Sequence, residues 1–245
     1  FFAGRAASRL LVGRLAEARG DLGRALTLDA THADTRALQA AIASTLNEVE
    51  DTERLAAAAL AENPDSAAAL IALSYARQAR FDLPGTRETL ETTVQSHAEN
   101  AMAWARLAEA RLATGDLAGG QEAAQRATSL QPSLAHAHTV LGFARFLSLA
   151  LTDAQQSFDT ALELDSAAPL AHLGLGLTLI RNGALSEGRR EIELAVLMDP
   201  TDALARSYVA KAYHEERRGE LPASQLDLAK TLDPAEPTPW LYDAL

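Results

Sequence analysis

Residues 101–134 contain a pattern that returns down the chain. Trp104, Leu107 and Ala108 open one amphipathic helix, Gly115, Asp116 and Leu117 make a turn, and Gly120, Ala124 and Ala127 mark a second helix that Pro132 ends. Shifted by 34 residues it reads His138, Leu141, Gly142, Ala154, Phe158 and Ala161. Shifted again it reads His172, Leu175, Gly176, Gly188, Ile192, Ala195 and Pro200. A fixed period of this length constrains the fold more than any composition does. One such unit cannot bury its apolar face alone, so neighbours must stack into a solenoid.

With Ala101 as position one, units begin at Ala33, Ala67, Ala101, Ala135, Pro169 and Ala203. The boundaries are 33–66, 67–100, 101–134, 135–168, 169–202 and 203–236, with a partial unit at 1–32 and the start of an eighth repeat or a capping helix at 237–245. Position eight is Ala6, Ala40, Ser74, Ala108, Gly142, Gly176 and Ala210, all small. Position 27 is Ala25, Ala59, Thr93, Ala127, Ala161, Ala195 and Ala229, again all small. The two helices of a hairpin cross at these points, and a larger side chain would force them apart at a cost of about 1–3 kcal/mol. Large apolar residues fill the complementary phases. Position seven holds Leu73, Leu107, Leu141, Leu175 and Val209, and position 17 holds Leu15, Val49, Leu83, Leu117, Leu151 and Leu185. Position 32 is Pro64, Pro132, Pro200 and Pro234 in four units, with Ala30, Ala98 and Ser166 in the others. Proline there cannot continue the preceding helix.

Three units depart from this plan. The unit 33–66 has Arg36 and Gln39 where large apolar residues are expected, which predicts helical but loose packing. The unit 135–168 lacks the turn glycine and turns through Phe146, Leu147, Ser148, Leu149, Ala150 and Leu151. In 203–236 the turn slips two residues to Arg218-Gly219-Glu220, which predicts a longer first helix and a shorter second one. Trp240 then falls at position four of a terminal helix that would cap the stack.

The period and the residue types at each phase resemble the tetratricopeptide repeat (TPR) family over essentially the whole chain. That resemblance implies an all-α, right-handed superhelical solenoid of about seven helix-turn-helix repeats in a single array. It also implies that first helices line a concave groove, chiefly through positions two, five, nine, twelve and thirteen. Carried over residue by residue, the groove set is Tyr75, Met102, Glu109, Leu112, His136, Phe143, Phe146, Leu173, Leu177, Ile180, Arg181, Lys211 and His214. Its middle is apolar, which suits an amphipathic helix or an extended apolar peptide. Chaperone-binding members hold an acidic carboxyl terminus with lysine at position five and asparagine at position nine. Those phases here read Ala105 and Glu109, Thr139 and Phe143, Leu173 and Leu177, so that clamp is absent.

Composition removes several function classes. There is no cysteine, which excludes disulfides, thiolate metal sites and a cysteine nucleophile. No apolar run is long enough to insert in a membrane. The net charge of −11 argues against nucleic acid as a partner. No phosphate loop, metalloprotease helix or nucleophile elbow is present, so no catalytic residue, metal ligand or cofactor is assigned. His138 and His172 share position four, where the family usually carries an aromatic, and a zinc pair there would lack further ligands. Packing is the better reading. Glu48, Glu50, Glu215 and Glu216 lie on polar faces, and Arg189-Arg190 and Arg217-Arg218 stand beside acidic residues, which excludes a basic nucleic-acid patch.

The expectation is a non-catalytic scaffold or adaptor that binds a protein or peptide segment in an apolar groove. Two alternatives remain open: the recruiting arm of a larger enzyme such as a glycosyltransferase, and a module that self-associates through its repeat ends. The opening Phe1-Phe2-Ala3-Gly4-Arg5 starts partway through a repeat and reads as a fragment of a larger bacterial protein. The closing run 231–245 resembles segments of large envelope TPR proteins, which points to the bacterial periplasm before the cytoplasm.

Overall fold

A computed structural model describes residues 15–28 and 33–244. Ala6 at position eight, Ala30 at position 32 and the first half of the partial unit 1–32 lie outside the described residues. Every described element is an α-helix: α1 (Leu15–Leu28), α2 (Ala33–Thr45), α3 (Val49–Glu62), α4 (Ala67–Ala79), α5 (Leu83–Ser96), α6 (Ala101–Ala113), α7 (Leu117–Leu130), α8 (Ala135–Leu147), α9 (Leu151–Leu164), α10 (Pro169–Arg181), α11 (Leu185–Met198), α12 (Ala203–Glu215), α13 (Leu221–Leu232) and α14 (Pro237–Asp243). The chain is an all-α solenoid of helical hairpins. It divides into two compact units, 1–123 and 124–245, with the boundary inside α7. Consecutive helices pack in each unit, and the second helix of a hairpin packs on the first helix of the next.

Helix starts follow from capping. Ser66, Asn100 and Asp202 occupy the residue before a first helix, and their side chains accept from the backbone N–H three residues on at 3.4, 3.0 and 2.9 Å. Each such cap contributes about 1 kcal/mol. Leu134 and Ala168 stand at the same phase and offer no side-chain acceptor.

Helix ends follow from one closure repeated in all six hairpins of the described residues 33–244. The N–H at position 16 returns to the carbonyl at position 11 over 2.9–3.0 Å, as from Asp116 to Arg111 and from Ala150 to Arg145. Closing this loop needs a left-handed residue at position 15. Asn47, Phe81, Gly115, Leu149, Gly183 and Arg217 all occupy it, with φ between 55° and 90°. Only two of the six are glycine, so the closure imposes the conformation whatever the residue. This explains how 135–168 turns without a glycine. A Cβ in that conformation costs about 1 kcal/mol, and Leu149 is 60% exposed, so little packing offsets it. Leu149→Gly is therefore expected to stabilise unit two by roughly 0.5–1 kcal/mol. A melting temperature that is unchanged or lower would contradict this.

The same closure corrects the reading of 203–236. The helix α12 has 13 residues, the same as α6, and is not lengthened. Arg218 N–H still returns to Tyr213 at 3.0 Å, so the helix ends where its hydrogen bonds turn in and not where the glycine stands. The two slipped residues lie in the turn, where Gly219 adds a second left-handed residue. Only α13 is shortened by the slip, with 12 residues against 14 in α11.

The unit 33–66 is also not loosely packed. Ala37, Ala59 and Ala69 form one buried cluster, and Ala40, Ala56 and Ala72 another, which join α2, α3 and α4 through methyl groups. With side chains this small the helix axes can approach closely, and burial does not need large residues. Arg36 pairs with Glu62 across the hairpin.

In five units position four has a polar task as well as a packing one. Its side-chain N–H donates to the carbonyl six residues earlier: Trp104 to Ala98 at 2.8 Å, Arg206 to Pro200 at 2.9 Å and Trp240 to Pro234 at 3.3 Å. His138 and His172 make the same contact through Nε2, to Pro132 at 2.9 Å and Ser166 at 3.1 Å. Histidine substitutes for tryptophan because both present a flat ring with an N–H at the right reach. Arginine at position eleven adds a second tie in three hairpins. Arg77, Arg111 and Arg145 donate to the carbonyls of Gly85, Gly119 and Asp153 at 2.9, 3.1 and 3.1 Å.

Candidate binding surface

In unit one the first helices α2 and α4, with the start of α6, enclose an apolar cleft of about 480 Å³. Ala68, Ile71, Ala72 and Tyr75 form its floor, Ala41, Ser44 and Thr45 one wall, and Asn100 and Met102 the other. The wall hydroxyls are occupied: Ser44 donates to Ala41 O and Thr45 to Ile42 O, both at 2.8 Å. Of the sequence-derived groove set, Tyr75 and Met102 meet here.

Below this cleft lies a group that the sequence did not reveal. Arg106 is 1% exposed, and its guanidinium stands 3.7 Å over the Tyr75 ring. It donates to Ser74 Oγ at 3.3 Å, to Gln78 Oε1 at 2.8 Å and to the Glu109 carboxylate. A buried cation must be paired in this way. Glu109, expected on the groove, thus serves Arg106. Burial above all, and then the Glu109 carboxylate, push the Tyr75 hydroxyl up to about 12. The available signal was a small residue at Ser74, one repeat earlier, which leaves room for a long side chain. Leu112 is half-buried within its hairpin, and a Cβ on Gly120 would lie 2.6 Å from its Cδ2.

In unit two α8, α10 and α12 form a second cleft of about 330 Å³ lined by Phe146, Leu177, Ile180, Arg181, Tyr208 and Lys211. Five of these belong to the sequence-derived set, while Tyr208, at position six, does not. Arg181 stands 5.9 Å over the Phe146 ring. Beside it, Lys211 and His214 line a smaller pocket of about 180 Å³ with Glu215, Leu226 and Tyr242. Helix α14 supplies Tyr242, whose ring centroid is 6.2 Å from that of Tyr208. His136 is half-buried near the start of α8.

Two predicted groove residues are drawn inward. Leu173 is 3% exposed in a core cluster with Ile192, Ala195, Ala205 and Val209, so it offers no surface to a ligand. Leu173 shares position five with Ala105, Thr139 and Ser207, which are buried too, whereas Ile71 at the same position is half-buried and lines the unit-one cleft. Phe143 is half-buried and packs edge-on against Phe158, with ring centroids 5.1 Å apart at 78°.

Of the charged residues noted in sequence, Arg189 and Glu216 form a structural pair. Arg189 lies between Glu193 at 2.6 Å and Glu216 at 2.9 Å. His172 Nδ1 is 2.7 Å from Glu191. Among the described residues no group of three His, Asp or Glu could hold a metal ion, and no helix is long and apolar enough to cross a membrane.

No protein-family model matches this chain, and no curated protein does. Solved structures do match. TTC0263, a thermophilic TPR protein of Thermus thermophilus, aligns with a TM-score of 0.66 and 21% identity over 75% of this chain and 100% of its own. PilF of Pseudomonas aeruginosa aligns with a TM-score of 0.62 and 17% identity over 86% of this chain and 96% of its own. The human IFIT1 dimer with PPP-AAAA aligns with a TM-score of 0.74 and 15% identity over 93% of this chain, which spans 57% of that longer one. The repeated hairpins and these alignments together give the chain the fold of the tetratricopeptide repeat proteins.

Proposed function

We propose that this chain is a non-catalytic scaffold that holds a protein or peptide segment against the first helices of its repeats. The observation that carries this reading is the pair of clefts. Each is built by first helices, and each keeps large apolar or aromatic side chains half exposed: Ile71, Tyr75 and Met102 in one, Phe146, Leu177 and Ile180 in the other. Apolar surface left in water forgoes about 25 cal/mol per Å², which an occupant with a matching face recovers. The net charge of −11 favours a protein segment over a phosphate-rich one.

The test compares proteins crosslinked to the purified wild-type chain with those crosslinked to an Ile71→Glu, Leu177→Glu variant. Both substitutions fall on half-buried cleft side chains, and circular dichroism checks that the helices remain. Phe143 is avoided because its contact with Phe158 makes it a test of folding. A folded variant is expected to lose its specific partners at least tenfold. If it recovers the same set, the clefts are not the binding surface.

A further inference from the structure

We propose that the cleft of α8, α10 and α12 selects a segment in which an acidic side chain adjoins apolar ones. This rests on the scaffold reading above and narrows it to a partner chemistry. Phe146, Leu177 and Ile180 give the cleft an apolar floor, and its only charged lining residues are the cations Arg181 and Lys211. Both are exposed. The carboxylate nearest to either in the described structure is Glu215, 4.0 Å from Lys211 Nζ, which leaves Arg181 over the Phe146 ring without a carboxylate partner among the described residues.

The buried cations of the chain are handled differently. The buried guanidiniums of Arg106 and Arg189 each meet a carboxylate from their own unit. The unit-one cleft is lined by no charged residue at all. Two exposed cations over an apolar floor, of which only Lys211 has a carboxylate within 4.0 Å, form a local site of opposite sign to a chain whose net charge is −11. The floor lowers the local dielectric and strengthens attraction for a carboxylate placed on it. A guanidinium adds a planar fork that can hold both carboxylate oxygens. The apolar neighbours of that carboxylate would cover Leu177 and Ile180.

Selection from a phage-displayed library of random peptides tests this on three purified chains: wild type, an Arg181→Glu, Lys211→Glu variant and a Leu177→Glu variant. Enriched peptides are then synthesised with a fluorophore and titrated by anisotropy. Peptides with Asp or Glu beside Leu, Ile or Phe are expected to dominate. Their affinity should fall about tenfold on charge reversal, and also as salt is raised. Peptides that show no acidic bias and tolerate charge reversal, yet are lost with Leu177→Glu, overturn this proposal and leave the scaffold reading standing. Peptides indifferent to both variants, or a selection that enriches nothing, overturn both.

Discussion

Phe158→Ala is expected to destabilise unit two by about 3–5 kcal/mol, the usual cost of emptying a fully buried aromatic site. Phe158 is 0% exposed and lies between two glycines of neighbouring first helices. A Cβ on Gly142 would sit 2.5 Å from its Cε1, and one on Gly174 2.3 Å from its Cε1 and Cζ. The ring occupies the space that the two missing methyl groups leave. A sign reversal follows. In the wild-type chain Gly174→Ala gains up to about 1 kcal/mol of helix propensity but forces overlap with a ring that cannot retreat, a loss of about 1–3 kcal/mol. In the Phe158→Ala background the overlap vanishes, so Gly174→Ala should stabilise. A double-mutant cycle by urea denaturation reads this directly, and additive effects would show that the ring is not held between the glycines.

Gly176→Val should cost about 3 kcal/mol, because the obstacle here is backbone. A Cβ on Gly176 would stand 2.6 Å from the Gly188 carbonyl oxygen, and one on Gly188 would stand 2.4 Å from the Gly176 oxygen. A side chain can rotate away, but a carbonyl moves only with its helix. The valine would therefore separate α10 from α11 along their length. Stacked hairpins lose stability locally, so amide exchange should accelerate in α10 and α11 while α4 keeps its protection. A loss below about 1 kcal/mol would mean that the hairpin yields elsewhere.

Much of the fold was legible because the period repeats a physical requirement. Small residues at positions eight and 27 mark where two backbones cross, and every described one except half-buried Ala25 is buried. The candidate surface was legible only in part. Phe146, Leu177, Ile180, Arg181 and Lys211 do share one cleft, and Tyr75 and Met102 another. Leu173, at position five, misled because a repeat pattern tells which face a residue occupies but not how deeply its neighbour presses on that face. Leu173 enters the core because Ala205 leaves it room in the next hairpin. Arg106 was missed for the same reason, since its buried site is made by Ser74 and Gln78 of the preceding first helix.

The sequence by itself determined the hairpin unit, its length and the crossing points, since these depend on contacts within about one repeat and recur until they are unmistakable. It did not determine where α12 ends. A Gly219 in the slipped turn suggested a longer helix, but the hydrogen bond from Arg218 to Tyr213 closes it in phase. Tertiary structure alone decided which side chains remain exposed. Exposure is set by pairs of residues far apart in the chain, such as Leu173 with Ala205 or Arg106 with Ser74. A single-repeat pattern carries no record of such pairs, because each repeat meets a neighbour with different side chains at the same phase.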